Sequence, residues 1–207
     1  PDTTEGVSGF KLKNGVFYRF CRRAQQEPDK RFVFVIDEIN RGNLSKIFGE
    51  LLMLIEPDKR GPDHALTLTY SEERFHVPKN LHIIGMMNTA DRSLAMVDYA
   101  LRRRFRFKEL EPCFNGKFKK HLLDLKAEKA LVERIAERMT ALNTTISEDG
   151  ALGRGYRIGH SFFCPPDKVA PDEAWYRGVV KGEIKPLLEE YWFDNPDKAE
   201  KEANKLL

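Results

Sequence analysis

Two short apolar runs stand out in the first half of the chain. They are Phe32 to Ile36, which reads FVFVI, and Leu81 to Met87, which reads LHIIGMM. Apolar runs of this length, without polar alternation, are typical of strands that are buried on both faces of a parallel sheet. The pattern therefore predicts an α/β domain with two neighbouring buried strands.

Other patterns predict the elements around these strands. Apolar residues spaced by four predict a helix, a capping residue before an apolar face marks where a helix begins, and alternation that returns after a short turn predicts a β-hairpin. In chain order, the predicted elements are a helix over 16–26, the first strand, a helix from the N-cap Asn43 to Glu56, a hairpin within 65–78, the second strand, a short helix over 94–101 and a third strand over 105–110.

The second half of the chain has a helical pattern. Leucine, isoleucine and methionine recur at helical spacing over 121–140, with charged residues between them. The glycine-rich segment 150–160 predicts a loop or a sharp turn. Asp172 and Asn195 are candidate N-caps of later helices. We therefore predict an α/β part over 1–110 and an α-helical part over 111–207.

Composition adds little that is specific. The 207 residues are 41% hydrophobic and 32% charged, as expected for a globular chain with a real core. The net charge is only +3, so nothing global requires nucleic acid or an anionic membrane as a partner. The three cysteines, Cys21, Cys113 and Cys164, lie far apart and have no metal-ligand spacing, which favours reduced thiols.

No apolar run approaches the roughly 20 residues that a membrane-spanning helix needs. The polar start, PDTTEGVSG, is also unlike a secretory signal peptide. We therefore expect a cytoplasmic protein without a membrane partner.

Polar side chains follow both apolar strands. Asp37 and Glu38 come directly after the first strand, and Asn88 begins a polar stretch after the second. Open α/β folds place ligands at the carboxyl ends of their strands, so one shared site is expected there. One carboxylate can hold Mg²⁺ while the other deprotonates a water that attacks a phosphate. The alternative is an ordinary strand end with two solvated acids.

Several longer runs carry a family resemblance. The runs IDEINRGNLSKIFGELLMLIEPDKRG and IIGMMNTADRSLAMVDYALRRRF, followed by LGRGYRIGHSFF and IKPLLEEYWFDNP, resemble the AAA+ GTPase module of the McrB family, the motor subunits of modification-dependent restriction systems. The resemblance covers nearly the whole chain. It implies a partial AAA+ P-loop NTPase domain, with a parallel sheet, helices and a β-hairpin insert before the sensor-one strand, followed by an α-helical lid.

The resemblance also implies roles for the residues after the two strands. Asp37 would support Mg²⁺, and Glu38 would be the catalytic acid that activates water. Asn88 would be the sensor-one residue that contacts the attacking water or the γ-phosphate. Asp91 and Arg92 would lie in the loop that the family uses for hydrolysis and for stimulation by a partner. The alternative for NTADRS is a polar turn that caps the next helix.

An arginine triplet follows that loop. The resemblance implies that one or two of Arg102, Arg103 and Arg104 reach a neighbouring subunit's nucleotide as arginine fingers. A guanidinium is always charged and matches phosphate oxygens as a fork, so the role is physically sensible. A basic triplet on a solvated face, or against DNA, is the alternative.

In the helical part, the segment RIGHSFF corresponds to the position of a sensor-two residue. Arg157, His160 and Ser161 are therefore candidates for contacts with the nucleotide. The alternative is a structural turn that packs Phe162 and Phe163.

The chain departs from the family in one respect. A complete module needs a Walker A loop, GxxxxGK[ST], whose backbone N–H groups wrap the phosphates, and these 207 residues contain none. The sequence therefore looks like the later two thirds of a module, and we expect it to be inactive alone. Only the resemblance implies GTP rather than ATP as the substrate, because the sequence contains no NKxD-type guanine-recognition motif.

The leading hypothesis is a Mg²⁺-dependent AAA+ motor that hydrolyses GTP or ATP. The resemblance implies a homo-oligomeric ring, a hexamer, that drives DNA translocation for a McrC-like nuclease subunit. Three alternatives remain: a MoxR-like ATPase that remodels proteins, a catalytically silent fragment that docks into a ring, and a DNA-binding domain that uses residues 102–108.

Overall fold

A computed structural model describes residues 12–88, 102–166 and 169–207. The chain divides into two compact units, the first ending at Phe107 and the second running from Lys108 to Leu207. Within the described residues, no helix combines the length and the apolar character that crossing a membrane requires.

The described residues of the first unit form a two-stranded parallel sheet, a small antiparallel hairpin and two α-helices. The parallel pair runs in register from Phe32 opposite Leu81 to Ile36 opposite Gly85. The helix over 16–26, both strands and the hairpin are therefore confirmed. In chain order, the elements are α1 (Val16–Gln26), β1 (Phe32–Ile36), α2 (Leu44–Phe48), β2 (Leu66–Thr67), β3 (Arg74–Phe75) and β4 (Leu81–Gly85).

An aromatic cluster holds α1 against β1. The ring of Phe17 lies edge-on to that of Phe34 with centroids 5.2 Å apart, and Phe20 lies 5.3 Å from the same ring. Cys21 faces this core from α1, and its burial raises the pKa of its thiol to about 12 although Arg60 and Arg22 lie nearby. Cys21 is therefore a packing residue rather than a reactive thiol.

Asn80 ties α1 to the start of both strands. Its side-chain amide donates to the backbone carbonyl oxygens of Ala24, Glu27 and Lys30 at 2.9, 3.0 and 2.8 Å. The backbone carbonyl oxygen of Asn80 accepts from the backbone N–H of Phe32 at 2.9 Å. These bonds tie the end of α1 and the loop after it to the residue before β4, and they align β1 with β4.

The prediction that both strands are buried on two faces is wrong for the described residues. Val33, Val35 and Ile84 are 47%, 51% and 49% exposed, and they share one face of the sheet by register. Alternate side chains of a strand point to opposite faces. The aromatic cluster of α1 covers the face that carries Phe34, and no other described element covers the opposite face.

The predicted helix from Asn43 to Glu56 is wrong beyond its first turns. Asn43 does cap it, since its side chain accepts from the backbone N–H of Lys46 at 2.9 Å. However, α2 ends at Phe48 and a 3₁₀ turn, Gly49–Met53, follows. Gly49 adopts φ +48°, which glycine tolerates without steric cost. Within this turn, the Glu50 carboxylate accepts from the backbone N–H and the hydroxyl of Thr69 in the hairpin region.

The predicted third strand over 105–110 is also wrong, because the structure has no strand there. Phe105 instead packs against a small apolar cluster that includes Ile39, Leu44 and Ile55, whereas Leu110 is 88% exposed. An apolar run forms a strand only where a neighbouring strand can share its backbone hydrogen bonds. The predicted helix over 94–101 lies outside the described residues.

The second unit is a helical bundle with its own core. Three helices begin at side-chain caps, in which Asn115, Asp172 and Asn195 accept from backbone N–H groups. The caps predicted at Asp172 and Asn195 are thereby confirmed. The helices are α3 (Gly116–Asp124), α4 (Lys129–Glu148), α5 (Glu173–Val179), α6 (Lys185–Tyr191) and α7 (Pro196–Asn204), with a π-helical turn, Val180–Ile184, between α5 and α6.

Two interruptions in these helices have local causes. The apolar pattern over 121–140 spans two helices, because Lys126 adopts φ +68° between α3 and α4. The π-helical turn precedes Pro186, which has no N–H to donate and whose ring clashes with the carbonyl one turn earlier.

Asp149 joins the end of α4 to the last two helices. Its carboxylate accepts from the Trp192 indole N–H at 2.9 Å and from Lys198 Nζ at 2.5 Å. It also accepts from the backbone N–H groups of Ala151 and Leu152. The bonds to Lys198 and Trp192 lower the pKa of this carboxyl well below its usual range.

Candidate functional site

The carboxyl ends of β1 and β4 lie side by side. The ladder continues past both strands, since Met86 N–H donates to the carbonyl of Ile36 and Ile39 N–H donates to the carbonyl of Met86, each at 2.8 Å. The polar residues after each strand therefore emerge at one edge of the sheet, as the sequence predicts.

The side chain of Ile39 packs closely against the backbone of Gly85 at this edge. A Cβ added at Gly85 would lie 2.4 Å from Cδ1 of Ile39. A side chain at position 85 would therefore displace Ile39, whose backbone N–H bonds Met86 beside the turn that contains Asp37 and Glu38. This glycine lies in the second apolar run.

Glu38 has an unusual backbone conformation. It adopts φ +48°, which non-glycine residues rarely do, and its N–H donates to Oδ1 of Asp37 at 2.9 Å. Its carboxylate is paired with Arg41, with Oε2 and Nε 2.9 Å apart, and both side chains are more than half exposed. Strained backbone of this kind is concentrated at functional sites. The turn aims two adjacent carboxylates into solvent at the sheet edge.

Asn40 links the two sides of this edge. Its Nδ2 donates to the backbone carbonyl of Asn88 at 3.5 Å, so Asn88 lies beside the turn that follows β1. Asp91 and Arg92, the other candidates from this loop, lie outside the described residues. Neither Asn40 nor Arg41 was among the predicted site residues. The signal that points to them is the run of polar residues on both sides of Ile39 in DEINRGN.

The carboxylate of Asp37 fits a magnesium ion that takes most of its other ligands from water and phosphate. In the described part of the chain, no three His, Cys, Asp or Glu side chains converge as a closed metal cage. Mg²⁺ in phosphate-hydrolysing sites is usually held by one or two carboxylates, with water and phosphate oxygens as the other ligands. Asp37, exposed at the sheet edge, can supply one such carboxylate.

The three arginines of the triplet differ in their exposure to solvent. Arg102 and Arg103 are exposed, whereas the Arg104 side chain is only 8% exposed. Arg104 Nε lies 2.8 Å from Oε1 of Glu56 and also donates to the carbonyl of Leu52 at 3.1 Å. Arg104 therefore has partners within the first unit, which favours Arg102 and Arg103 for contacts with another molecule.

Arg157 lies in the turn before the last three helices of the second unit. Its side chain is 17% exposed and its Nη2 lies 3.0 Å from Glu109 Oε1 and 3.5 Å from Glu111 Oε1. Its Nε donates to the carbonyl of Arg154 at 3.0 Å. The guanidinium is thus held against two carboxylates at the surface of this unit.

His160 and Ser161 follow in the same turn. The backbone N–H of Cys113 donates to Nδ1 of His160 at 3.1 Å, so the neutral ring carries its proton on Nε2. The ring also makes edge contacts with Phe114 and Phe118, which suit a packing role. Ser161 is exposed, and Phe163 is fully buried behind it.

Two family models match the chain. Residues 4–105 match the AAA domain of the dynein-related subfamily, and residues 134–200 match the α-helical lid domain of McrB. The two matches follow the order of the α/β and helical parts.

Two curated relatives are restriction enzyme components. The chain is 54% identical over 206 residues to the Type IV methyl-directed restriction enzyme EcoKMcrB subunit of Escherichia coli K12. The aligned region covers 96% of this chain and 45% of that relative. The chain is 29% identical over 119 residues to the Type II restriction enzyme BsuMI component YdiS of Bacillus subtilis 168, which covers 52% of this chain and 35% of the relative. The chain thus spans less than half the length of either relative.

The two domain matches, the high identity to the E. coli subunit and the two-strand edge agree with one another. The chain belongs to the McrB-type AAA+ modules, with an AAA domain followed by an α-helical lid.

Proposed function

We propose that this chain contributes the Walker B, sensor and lid portion of a motor that hydrolyses nucleoside triphosphates, GTP in preference to ATP. The observation that carries the proposal is Glu38, which is held at φ +48° beside Asp37 at the carboxyl edge of β1. A strained turn that exposes two carboxylates next to Asn88 is costly for stability and useful for activating water.

Each residue at the edge has a distinct task in this proposal. Glu38 accepts the proton of the attacking water, and Asn88 orients that water or the γ-phosphate. Asp37 would hold Mg²⁺ through an oxygen or a bound water, and Mg²⁺ there would supply neutralisation of charge on the phosphate oxygens. Arg41 contacts Glu38 Oε2, which keeps the carboxylate in place beside the strand end.

Phosphate binding needs a further element. The 207 residues contain no GxxxxGK[ST] loop, so we propose that hydrolysis requires such a loop in the same assembly. The chain by itself is then inactive. The relative from E. coli is a restriction enzyme subunit, and on this basis we propose a cytoplasmic, hexameric ring that drives DNA translocation for a McrC-like nuclease.

The test is steady-state hydrolysis by a protein that carries this chain together with a Walker A loop. Preference for GTP and stimulation by the nuclease partner on DNA support the proposal. Preference for ATP, with no effect of DNA, supports the remodelling ATPase instead. No hydrolysis of either nucleotide in the ring contradicts both.

Substitutions of Arg103 and Arg104 should have different effects. We expect Arg103→Ala to inactivate rings when it is mixed with wild-type subunits, because an exposed finger acts across a subunit interface. We expect Arg104→Ala to lower the stability of its own subunit instead, because Glu56 loses its partner. The measurements are hydrolysis as a function of the mixing ratio and urea denaturation of each variant.

Arg106→Ala is the matched control, since Arg106 is also an exposed arginine of this segment. Activity that falls only in proportion to the Arg103→Ala fraction would assign that residue to its own subunit's site and contradict the finger role.

A further inference from the structure

The turn that carries Arg157 is fixed from inside the second unit. Asn143 on α4 is buried, and its Oδ1 accepts from the backbone N–H of Ile158 at 2.7 Å. Its Nδ2 donates to the carbonyl of the same residue at 2.9 Å. Both polar backbone groups of Ile158 are therefore used, and a shift of the turn would break two buried hydrogen bonds. The backbone of Arg157 is held in place, and its guanidinium is the part that is able to change partners.

The guanidinium is occupied by carboxylates. One nitrogen, Nη2, faces both Glu109 and Glu111, whereas Nε is bound to a backbone carbonyl in the turn. The Arg157 side chain is 17% exposed, but the two glutamates are 68% and 59% exposed. A guanidinium binds carboxylate and phosphate oxygens with the same geometry. The two glutamates therefore stand where phosphate oxygens would bind.

The glutamates are easily replaced. Solvent-exposed ion pairs are weak, because water competes for both charges and the side chains lose freedom. Glu109 and Glu111 also lie within 108–114, a stretch that forms neither helix nor strand. A polyphosphate has more negative charge than one carboxylate, and its arrival would disrupt no regular structure in this stretch.

We propose that Glu109 and Glu111 form a carboxylate latch that occupies Arg157 until the polyphosphate of a nucleotide displaces it. This inference rests on the proposed function, since it takes a nucleoside triphosphate as the substrate and Arg157, the sensor-two candidate, as one of its phosphate ligands. The latch lowers nucleotide affinity, because binding must first break two ion pairs. Nucleotide binding also releases residues 108–112, up to Cys113, whose backbone N–H stays bonded to His160.

The test is the affinity for GTP, with Mg²⁺ and at fixed salt, of a protein that carries this chain with a Walker A loop. Four proteins form a cycle: wild type, Glu109→Gln/Glu111→Gln, Arg157→Ala and the triple variant. We expect the glutamine pair to bind GTP about 3- to 10-fold more tightly, the combined worth of two exposed ion pairs. In the Arg157→Ala background the same change should have almost no effect.

Glu128→Gln/Glu200→Gln is the matched control, because it removes the same charge from exposed positions elsewhere in the second unit. Tryptophan fluorescence checks that every variant is folded, since Trp175 and Trp192 both lie in this unit. Equal tightening with or without Arg157, or in the control pair, would assign the effect to net charge and overturn the latch.

The outcomes separate the latch from the function on which it rests. If wild type binds GTP and Arg157→Ala weakens binding, but the glutamine pair binds like wild type, the latch is wrong and the proposed function stands. If wild type binds no nucleotide, both fail.

Discussion

Glu38→Gln is expected to slow nucleotide hydrolysis by roughly 10² to 10⁴, the usual worth of a positioned general base. Glutamine has the shape of glutamate and keeps an oxygen that accepts from Arg41 Nε, but it cannot take a proton from water. The variant should therefore bind nucleotide and assemble as wild type does. The measurement is single-turnover hydrolysis beside an equilibrium binding titration, in a protein that carries this chain with a Walker A loop.

Glu72→Gln is a matched control for this experiment. Glu72 is also an exposed glutamate with positive φ, +56°, but it lies between β2 and β3, away from the sheet edge. Its replacement should leave hydrolysis unchanged. Near-normal turnover in Glu38→Gln would remove Glu38 from the role of base, and equal losses in both variants would point to folding rather than chemistry.

Asp149→Ala is expected to destabilise the second unit by roughly 2–4 kcal/mol, because a buried indole N–H and a lysine lose their acceptor. The Asp149 side chain is 10% exposed, so water replaces these bonds poorly. Urea denaturation followed by tryptophan fluorescence measures the loss, since Trp192 is one of the bonded groups. Asp194→Asn, which changes an exposed carboxyl close to Trp192 in sequence, should change the free energy of unfolding by less than about 0.5 kcal/mol.

The same contact predicts a pH dependence. Lys198 and Trp192 lower the pKa of the Asp149 carboxyl in the folded state, so the unfolded state takes up a proton first. The stabilisation is complete above the ordinary carboxyl pKa of about 4 and declines as the pH falls below it. The difference in the free energy of unfolding between wild type and Asp149→Ala should therefore shrink in acid. A difference that stays constant from neutral pH to pH 3 would contradict this account.

Local sequence patterns predicted the elements whose signals lie within a few residues. The helix over 16–26 has the predicted bounds, and Asn43, Asp172 and Asn195 cap helices as expected. A cap bonds to an N–H two or three residues away, so its chemistry is complete within a short segment. The two apolar runs also pair as neighbouring strands.

The errors share a different cause. The helix that ends at Phe48 and the missing third strand both depend on partners that are distant in sequence, such as Thr69 for Glu50. Strand burial failed for the same reason, since Val33 is exposed unless another element covers its face. Hydrophobic periodicity shows which face of a segment is apolar, but it does not identify the element that will pack against that face.

The sequence by itself determined the residue types of the candidate site and its position after two strands. Asp37, Glu38 and Asn88 were identified because parallel strands deliver their carboxyl ends to one edge. Only the tertiary structure decided the left-handed backbone of Glu38, the contact of Asn40 with Asn88, and the pairing of Arg104 with Glu56 rather than with solvent. The physical reason is that side-chain partners and backbone strain depend on packing between segments that are remote in the chain, which no local pattern contains.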